Sequence, residues 1–360
     1  EISPSEKVFK VRQYVGWGLK RDVALNICGI SKHKYYNYVN KQGVRGRKPS
    51  TTTMQISEQG ELDEVDNGKV LDEILTIKSN PETDYGYRAM TAALMLLGFI
   101  INHKKVYRLM KEYQLLHDSY HRQKRNYVKF LRVTPRAPLE VLEMDIKYQW
   151  VAEHSRYAFI LTIIDCFTRY VLYWTVAYSI KQHQVKEAWE DVIVNYLQPN
   201  DLLAKGLTVE IRNDNDSRFA AKEVQQFFKD NYLNQVFTHP YTPQENGHIE
   251  SFHSILSRSL ERKEFFTIFD LDKHLKYFYR IYNGIRLHGS LDHLCPKIFW
   301  KLWKQDLIET KELKNKKLKH YLTIPHYYLS GNGNLREVSS LLEEQIKEVV
   351  GANSLQQPSV

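Results

Sequence analysis

Hydrophobic periodicity changes abruptly at Leu139. Upstream, apolar residues recur with the spacing of amphipathic helices, whereas downstream short apolar runs of strand character alternate with helical patterns. Strands are expected at residues 141–146, 157–164, 170–176, 207–212 and 235–238, and helices at 185–197, 222–229 and 244–261. Three strands followed by helix, strand, helix, strand and helix predict a mixed α/β domain, and the segments before it predict all-α modules.

The first forty residues have the pattern of a helix-turn-helix. Ser5 is the expected cap of the first helix, Gly29 ends the second, and Ser31 caps the third. The third helix carries Lys32 and Lys34 among aromatic residues, which favours contact with DNA. The alternative is a small helical bundle whose charged face is merely solvated.

A second helical pattern covers residues 69–117 and includes Gly98 at a turn and Asn102 as a cap. It also resembles a helix-turn-helix, so its cations are candidate DNA contacts: Arg88, Lys104, Lys105 and Arg108.

Two stretches without periodicity flank this module and are predicted to be linkers. The first contains Arg47 and Lys48. Residues 119–138 contain six Lys or Arg, no acid and interleaved aromatic residues, a composition suited to a phosphate backbone. A solvated linker is the alternative. The candidate DNA contacts in this stretch are Arg122, Lys124, Arg125, Lys129 and Arg132.

These patterns divide the chain into seven parts. They are a helix-turn-helix at 1–42, a linker at 43–68, a second helical module at 69–117, a basic linker at 118–138, an α/β core at 139–264, a helical extension at 265–305, and a C-terminal segment with an amphipathic helix at 306–360.

Three acids stand out by position: Asp145 within an apolar strand, Asp214 just beyond another strand, and Glu250 on a helix. A carboxylate near a strand core is costly unless a cation or hydrogen bonds compensate for it. Mg²⁺ and Mn²⁺ take oxygen ligands, and two such ions about 3.5–4 Å apart can promote an in-line displacement at phosphorus. The three acids therefore predict a site for phosphodiester chemistry.

Thirty-five residues separate Asp214 from Glu250. With this spacing, the chain from Asp84 to about Trp300 resembles the DDE transposases of bacterial insertion sequences, specifically the insertion sequence three family, and the retroviral-type integrases. The matching motifs are residues 84–88 and 106–111, Glu143-Met144-Asp145-Ile146, residues 164–169, residues 213–219, residues 243–252, and residues 282–291 with Pro296.

The resemblance implies an RNase H-like core that binds the terminal inverted repeats of a transposon, cleaves DNA and joins DNA strands. Carried over by position, Asp145, Asp214 and Glu250 are the catalytic, metal-binding triad. Asp165 also matches a family position and is expected to be structural or to support the triad. Further DNA contacts are expected at Asn246, Arg258, Arg286 and His288, although a structural turn is an open alternative for the last two.

Two positions depart from the family pattern. Asp216 stands where a glycine is usual, and Asp is among the better substitutes if the backbone there has a positive φ. Alternatively, Asp216 is an additional metal ligand. Ser257 stands where a cation is common, and Arg258 follows it, rotated by about 100° around the helix. Neither change removes a member of the triad.

Mg²⁺ is the expected cofactor, two ions per active site, with Mn²⁺ as a substitute. The expected partners are double-stranded DNA, both transposon ends and target, and further copies of the chain in a dimer or larger assembly on DNA. The C-terminal amphipathic helix is a candidate contact between copies. Water and then a DNA 3′-OH are the expected nucleophiles, so no protein nucleophile is assigned.

Other functions are less well supported. The histidines do not have the spacing of a zinc finger, which disfavours a zinc site. The sequence contains no Gly-x-Ser-x-Gly, so a serine hydrolase is not supported. It contains no phosphate-binding loop motif, so ATP hydrolysis is not indicated. No apolar run is long enough for a membrane span, the three scattered cysteines fit a reducing cytoplasm, and the net charge of +9 suggests a polyanionic partner. Together with the resemblance, this implies a bacterial cytoplasmic protein that is associated with the nucleoid when bound to DNA.

Two alternatives remain for the chain as a whole. A catalytically decayed DNA-binding protein, acting as a repressor or scaffold, is disfavoured by the intact triad. A structure-selective nuclease would lack sequence-specific binding of ends and strand joining.

Overall fold

The protein was analysed as a computed structural model that describes residues 2–39, 49–57, 60–118, 133–202, 208–238, 246–313 and 317–330. The chain divides into two compact units, Glu1–Thr51 and Thr52–Val360. In the described part of the chain, no helix combines the length and apolar character needed to cross a membrane.

The first unit contains three helices, α1 (Pro4–Gly16), α2 (Arg21–Ile27) and α3 (Lys32–Val39). The first begins earlier than predicted, because Ser3 and Glu6 form a capping box in which each side chain accepts a hydrogen bond from the other's backbone N–H. Gly29 follows α2 with φ +58°, and Ser31 caps α3 as expected. A small apolar core joins the helices.

The second unit begins with a helical module that contains an unpredicted sheet. Its elements are β1 (Thr52–Ile56), β2 (Leu62–Asp66), α4 (Asn67–Ser79), α5 (Tyr87–Leu96), β3 (Phe99–Ile100) and α6 (His103–Glu112). The strands form an antiparallel sheet in the order β2-β1-β3. The prediction of a linker over residues 43–68 is therefore wrong for residues 52–66. The side chains of β2 are almost all exposed and those of β1 are mostly half-buried, so neither strand shows the apolar alternation that identifies a strand.

Capping side chains and one glycine explain where the helices of this module begin and where the chain turns. Asp66 caps α4 by accepting a hydrogen bond from Gly68 N at 2.6 Å, and Asn102 caps α6 by accepting one from Lys105 N at 3.0 Å. Gly98, between α5 and β3, has φ +87°, and a Cβ there would lie 2.7 Å from the carbonyl oxygen of Ile56. Only glycine fits this turn without displacing β1.

A five-stranded mixed sheet organises the rest of the unit. Its strands are β4 (Val141–Val151), β5 (Arg156–Asp165), β6 (Val171–Ala177), β7 (Val209–Asn213) and β8 (Leu233–Phe237), in the spatial order β6-β5-β4-β7-β8. The first three strands pair antiparallel, whereas β4, β7 and β8 pair in parallel. This is the predicted α/β core.

Helices cover both faces of this sheet. The helices α7 (Gln182–Val192) and α8 (Lys222–Asp230) bury one face around Trp189, and α9 (Gly247–Leu260) and α10 (Ile268–Gly284) bury the other around Phe252. Beyond them, α11 (Pro296–Lys304) and an unpredicted hairpin, β9 (Ile308–Glu312) with β10 (Leu318–Leu322), pack around Phe167. The predicted C-terminal amphipathic helix lies outside the described residues.

A buried glutamate joins the helical module to the helices of the core. The carboxylate of Glu82 accepts hydrogen bonds from Ser259 Oγ at 2.7 Å and from the guanidinium of Arg262 at 3.1 Å. The guanidinium of Arg286 donates to the backbone carbonyl oxygen of Glu82. Because Glu82 is only 6% exposed, its charge depends on these donors for compensation.

We expect Glu82→Ala to lower the free energy of unfolding by about 1–2 kcal/mol, since it removes the acceptor of the Arg262 guanidinium and one of the two hydrogen-bond partners of the buried Ser259 hydroxyl, which keeps His274. Urea unfolding followed by circular dichroism measures the loss. The exposed Glu190→Ala is the matched control, and an equal loss in both variants would contradict the assignment.

Candidate active site

The register of the parallel strands brings two acids together. Backbone pairing between β4 and β7 ends with Glu143 opposite Arg212. Asp145 lies two residues after Glu143 on β4, and Asp214 lies two residues after Arg212, just beyond the last residue of β7. Because paired strands lie about 4.8 Å apart, the two carboxyl groups are neighbours at the end of β7.

The first turn of α9 brings the third acid to the same place. Ile249 N donates to the carboxylate of Glu143 on β4 at 2.6 Å, and Glu250 is the next residue along the helix. His253, one turn further along α9, lies with Nδ1 3.3 Å from a carboxylate oxygen of Asp145. The helix is thus attached to β4 on both sides of Glu250.

The pKa values of Asp214 and Glu250 are raised by burial and, secondarily, by neighbouring acids. Partial burial raises the pKa of Asp214, and the charges of Asp145 and Asp216 raise it further. Burial also raises the pKa of Glu250 to about 7, with further contributions from Asp145 and Glu143. The site therefore holds like charges that repel one another.

The donor set suits a hard divalent cation. The three acids offer carboxylate oxygens, and within the described residues none of them forms an ion pair with a lysine or arginine. A divalent cation would neutralise the repulsion that raises the pKa of Asp214 and Glu250. Among the residues that the structure describes, the group of potential ligands whose atoms all lie within 4.8 Å of one another is a different one, Glu143, Cys166 and His248.

Asp165 has a structural environment. It is fully buried, and its carboxylate accepts hydrogen bonds from Leu139 N, Phe167 N, Thr168 N and the hydroxyl of Thr168. Burial raises its pKa, which these hydrogen bonds partly offset. Both oxygens accept hydrogen bonds from the turn between β5 and β6, and one also accepts from Leu139 N just before β4, so Asp165 is not directed at the triad.

Asp216 is held by an arginine and has no need of a glycine-like backbone. It is absent from the described residues with positive φ. Its carboxylate binds the guanidinium of Arg218, which lowers the pKa of Asp216, and its backbone N–H donates to Asp214 at 3.1 Å. The residue thus shapes the loop that carries Asp214, a role that differs from that of an additional ligand.

Comparison with known families matches most of this architecture. Two models described as "Integrase core domain" match residues 135–243 and 231–296, and one described as "HTH-like domain" matches residues 65–124. The chain is 26% identical over 219 residues to an uncharacterised 31.7 kDa protein of insertion element IS407 from Burkholderia multivorans, covering 60% of this chain and 75% of that protein.

These matches make the chain similar to insertion-element transposases that carry an integrase core. It is 25% identical over 227 residues to the transposase InsK, described as putative, of element IS150 from Escherichia coli, covering 59% of this chain and 76% of that protein. A protein of element IS476 from Xanthomonas euvesicatoria is 24% identical, and 60% of each chain is covered.

Solved structures with a similar arrangement come from integrases and a transposase. The HTLV-2 integrase catalytic core, in complex with magnesium, has a TM-score of 0.34 at 14% identity, covering 46% of this chain and 97% of that one. The Mos1 mariner transposase catalytic domain has a TM-score of 0.35 at 10% identity, covering 58% and 83%.

The predicted DNA contacts of the transposase lie in several environments. Lys32, Lys34, Arg88 and Lys104 are exposed on the two helical modules. Arg108 is half-buried, and Lys105 is directed inward, because its ammonium donates to the carbonyl oxygen of Thr52 and burial lowers its pKa. Seven residues lie outside the described part of the chain: Arg47, Lys48, Arg122, Lys124, Arg125, Lys129 and Arg132.

The expected contacts near the triad also differ in exposure. Arg258 is exposed on α9, whereas Asn246 is buried at its start. Arg286 is half-buried and bonded to Glu82. The imidazole of His288 packs against Tyr282, and burial lowers its pKa to about 3. This environment favours the structural alternative for Arg286 and His288.

Residues beside the triad were not singled out from the sequence. Glu143, His248 and His253 connect β4 with α9, yet nothing in the sequence indicates contacts between residues more than a hundred positions apart. One signal was available: Glu143 and Asp145 alternate in an apolar strand and therefore share one face of the sheet.

Without metal, we expect Asp214→Asn to stabilise the protein by about 0.5–1 kcal/mol, because the change removes a charge that partial burial and the neighbouring Asp145 and Asp216 disfavour, and keeps the oxygen that accepts from Asp216 N. Thermal unfolding in EDTA and in Mg²⁺ measures the effect. Mg²⁺ should raise the Tm of the wild type more than that of the variant.

The exposed Asp230→Asn serves as the control. A lower Tm of Asp214→Asn in EDTA, or an equal Mg²⁺ shift in all three proteins, would contradict this account of the site.

Proposed function

We propose that this transposase cleaves DNA at the ends of its element and joins the freed 3′ ends to target DNA, with Asp145, Asp214 and Glu250 as the catalytic residues. The chain is a polynucleotidyl transferase whose cleavage and strand transfer depend on a divalent metal. The observation that supports the residue assignment is the meeting of three like charges, without a lysine or arginine partner among the described residues, at the junction of β4, β7 and α9.

The triad would hold two Mg²⁺ ions, with Mn²⁺ as a substitute. Bound there, the metal supplies Lewis acidity to the attacking and leaving oxygens of the phosphodiester. The residues around it orient the ligands: His253 Nδ1 faces Asp145, and Asp216 N donates to Asp214. Second contacts of this kind fix the direction of a carboxylate.

The reaction needs no protein nucleophile. In the first step, a water oxygen bonds to phosphorus and the bond from phosphorus to the 3′ oxygen breaks, so the element ends in a 3′-OH. In the second step, this 3′-OH attacks a phosphodiester of the target, and the target's own 3′ oxygen leaves. One site thus serves both displacements.

DNA binding is assigned to the helical modules and the basic stretch before the core. Lys32, Lys34, Arg88 and Lys104 are exposed, and cations of this kind bind phosphates and release counterions. We propose that these segments recognise the terminal inverted repeats and that two ends meet in a dimer or larger assembly. The intact triad speaks against a decayed, purely DNA-binding protein.

We expect Asp145→Asn, Asp214→Asn and Glu250→Gln each to reduce cleavage and strand transfer by about 10³-fold or more, because each removes a charge that the metal requires. The substrates are labelled DNA duplexes that carry the ends of the element, incubated with Mg²⁺. DNA affinity should change little, since the cations that bind phosphate lie elsewhere.

Asp230→Asn is again the matched control and should retain wild-type rates. Wild-type rates in Asp214→Asn would overturn the assignment of the triad, and DNA binding without cleavage in the wild type would favour the decayed alternative.

A further inference from the structure

One carboxylate beside the triad is completely buried. Glu143 lies on β4 two residues before Asp145, on the same face of the sheet, with an exposed fraction of 0%. Such a charge is tolerated only where hydrogen bonds replace its hydration. Its partners are Ile249 N at 2.6 Å and His248 Nδ1 at 2.9 Å, both on the first turn of α9.

These contacts replace a missing helix cap. The residue before α9, Asn246, makes no side-chain capping bond to the first turn. Counted from it, Ile249 is the third helical residue, whose N–H a cap would ordinarily satisfy. Glu143 accepts this bond from the neighbouring strand and places negative charge at the positive end of the helix dipole.

We propose that Glu143 is a positioning residue that clamps the first turn of α9 to β4 and so sets the separation between Glu250 and Asp145. This proposal rests on the proposed function of the triad. The clamp is short: Asp145 is two residues from Glu143 on the strand, and Glu250 is one residue from Ile249 on the helix. Any movement of Ile249 relative to Glu143 would therefore change the distance between Asp145 and Glu250, the two proposed metal ligands beside them.

A second contact attaches α9 to β4 on the other side of Glu250. His253 meets Asp145 at 3.3 Å, three residues after Glu250. The clamp fixes α9 before Glu250, and this contact orients it after Glu250. Two attachments, one on each side, restrict both translation of the helix and rotation about its axis, which neither would do alone.

The same residues could be read as a separate metal site, since ligand atoms of Glu143, Cys166 and His248 lie within 4.8 Å of one another. The clamp accounts for the cluster better. Both Glu143 oxygens already accept hydrogen bonds from α9, and the buried Cys166 thiol, whose pKa burial raises well above its usual value, is itself hydrogen-bonded to Glu143.

The test compares Glu143→Ala, Glu143→Gln and Glu143→Asp in the full chain. Mn²⁺ binding without DNA is measured by electron paramagnetic resonance, together with cleavage as a function of Mg²⁺ concentration, DNA affinity and Tm. Glu140→Ala is the matched control, because Glu140 also accepts backbone N–H bonds, from Arg136 at 2.6 Å and Ala137 at 3.2 Å, but outside α9.

We expect Glu143→Ala to weaken Mn²⁺ binding by about 10–100-fold and to raise the Mg²⁺ concentration that cleavage requires, with DNA affinity unchanged. Glu143→Gln should recover most of this loss, since its amide oxygen can still accept from Ile249 N. Glu143→Asp retracts the charge by one methylene and should be intermediate, and it keeps the test decisive if the alanine variant does not fold.

Wild-type Mn²⁺ affinity in a folded Glu143→Ala, or an equal loss in Glu140→Ala, would overturn the clamp. So would stoichiometric zinc in the purified protein that Cys166→Ser removes. The same measurement on Asp214→Asn distinguishes failure of the clamp from failure of the proposed function. If the proposed function is wrong, Asp214→Asn binds Mn²⁺ as the wild type does. If only the clamp is wrong, Asp214→Asn still weakens Mn²⁺ binding.

Discussion

Repulsion between carboxylates is the constraint around which the core of this transposase is arranged. Asp145, Asp214 and Glu250 gain nothing from one another in the absence of metal, and the pKa of Asp214 and of Glu250 is raised by burial and further by the neighbouring acids. Their proximity must come from elsewhere. It comes from a parallel strand pairing with apolar residues on both faces, and from a helix that the same sheet holds by its first turn. Stability elsewhere in the core offsets a locally unfavourable site.

Much of the fold could be predicted from periodicity. The five strands of the core and α7 to α9 lie close to their predicted positions, because buried strands and amphipathic helices leave strong patterns. The hairpin of β1 and β2 could not be predicted, since its second strand is almost entirely exposed, and the same holds for β9. Strand pairing there is satisfied by backbone bonds that leave no trace in side-chain hydrophobicity.

The site was only partly predictable. The acids of the triad are conspicuous because a carboxylate in an apolar strand is expensive, and their spacing matches a known family. Glu143 is equally expensive, but its partners His248 and Ile249 are more than a hundred residues away, so no local pattern explains it. Asp216 illustrates the converse: the sequence suggested a positive φ or an additional ligand, and its partner turned out to be Arg218, two residues along the same loop.

The helix α9 connects these observations. Near its end, Ser259 donates to Glu82 of the helical module, and at its start Ile249 donates to Glu143 of the sheet. The helix that carries Glu250 is therefore held at one end by the module that resembles a DNA-binding domain and at the other by the strand that carries Asp145. Rigid elements held at both ends keep catalytic groups within a narrow range of geometry. DNA held by that module would consequently stand at a fixed distance from the triad, because one hydrogen bond, from Ser259 to Glu82, and one helix, α9, connect Glu82 with Glu250.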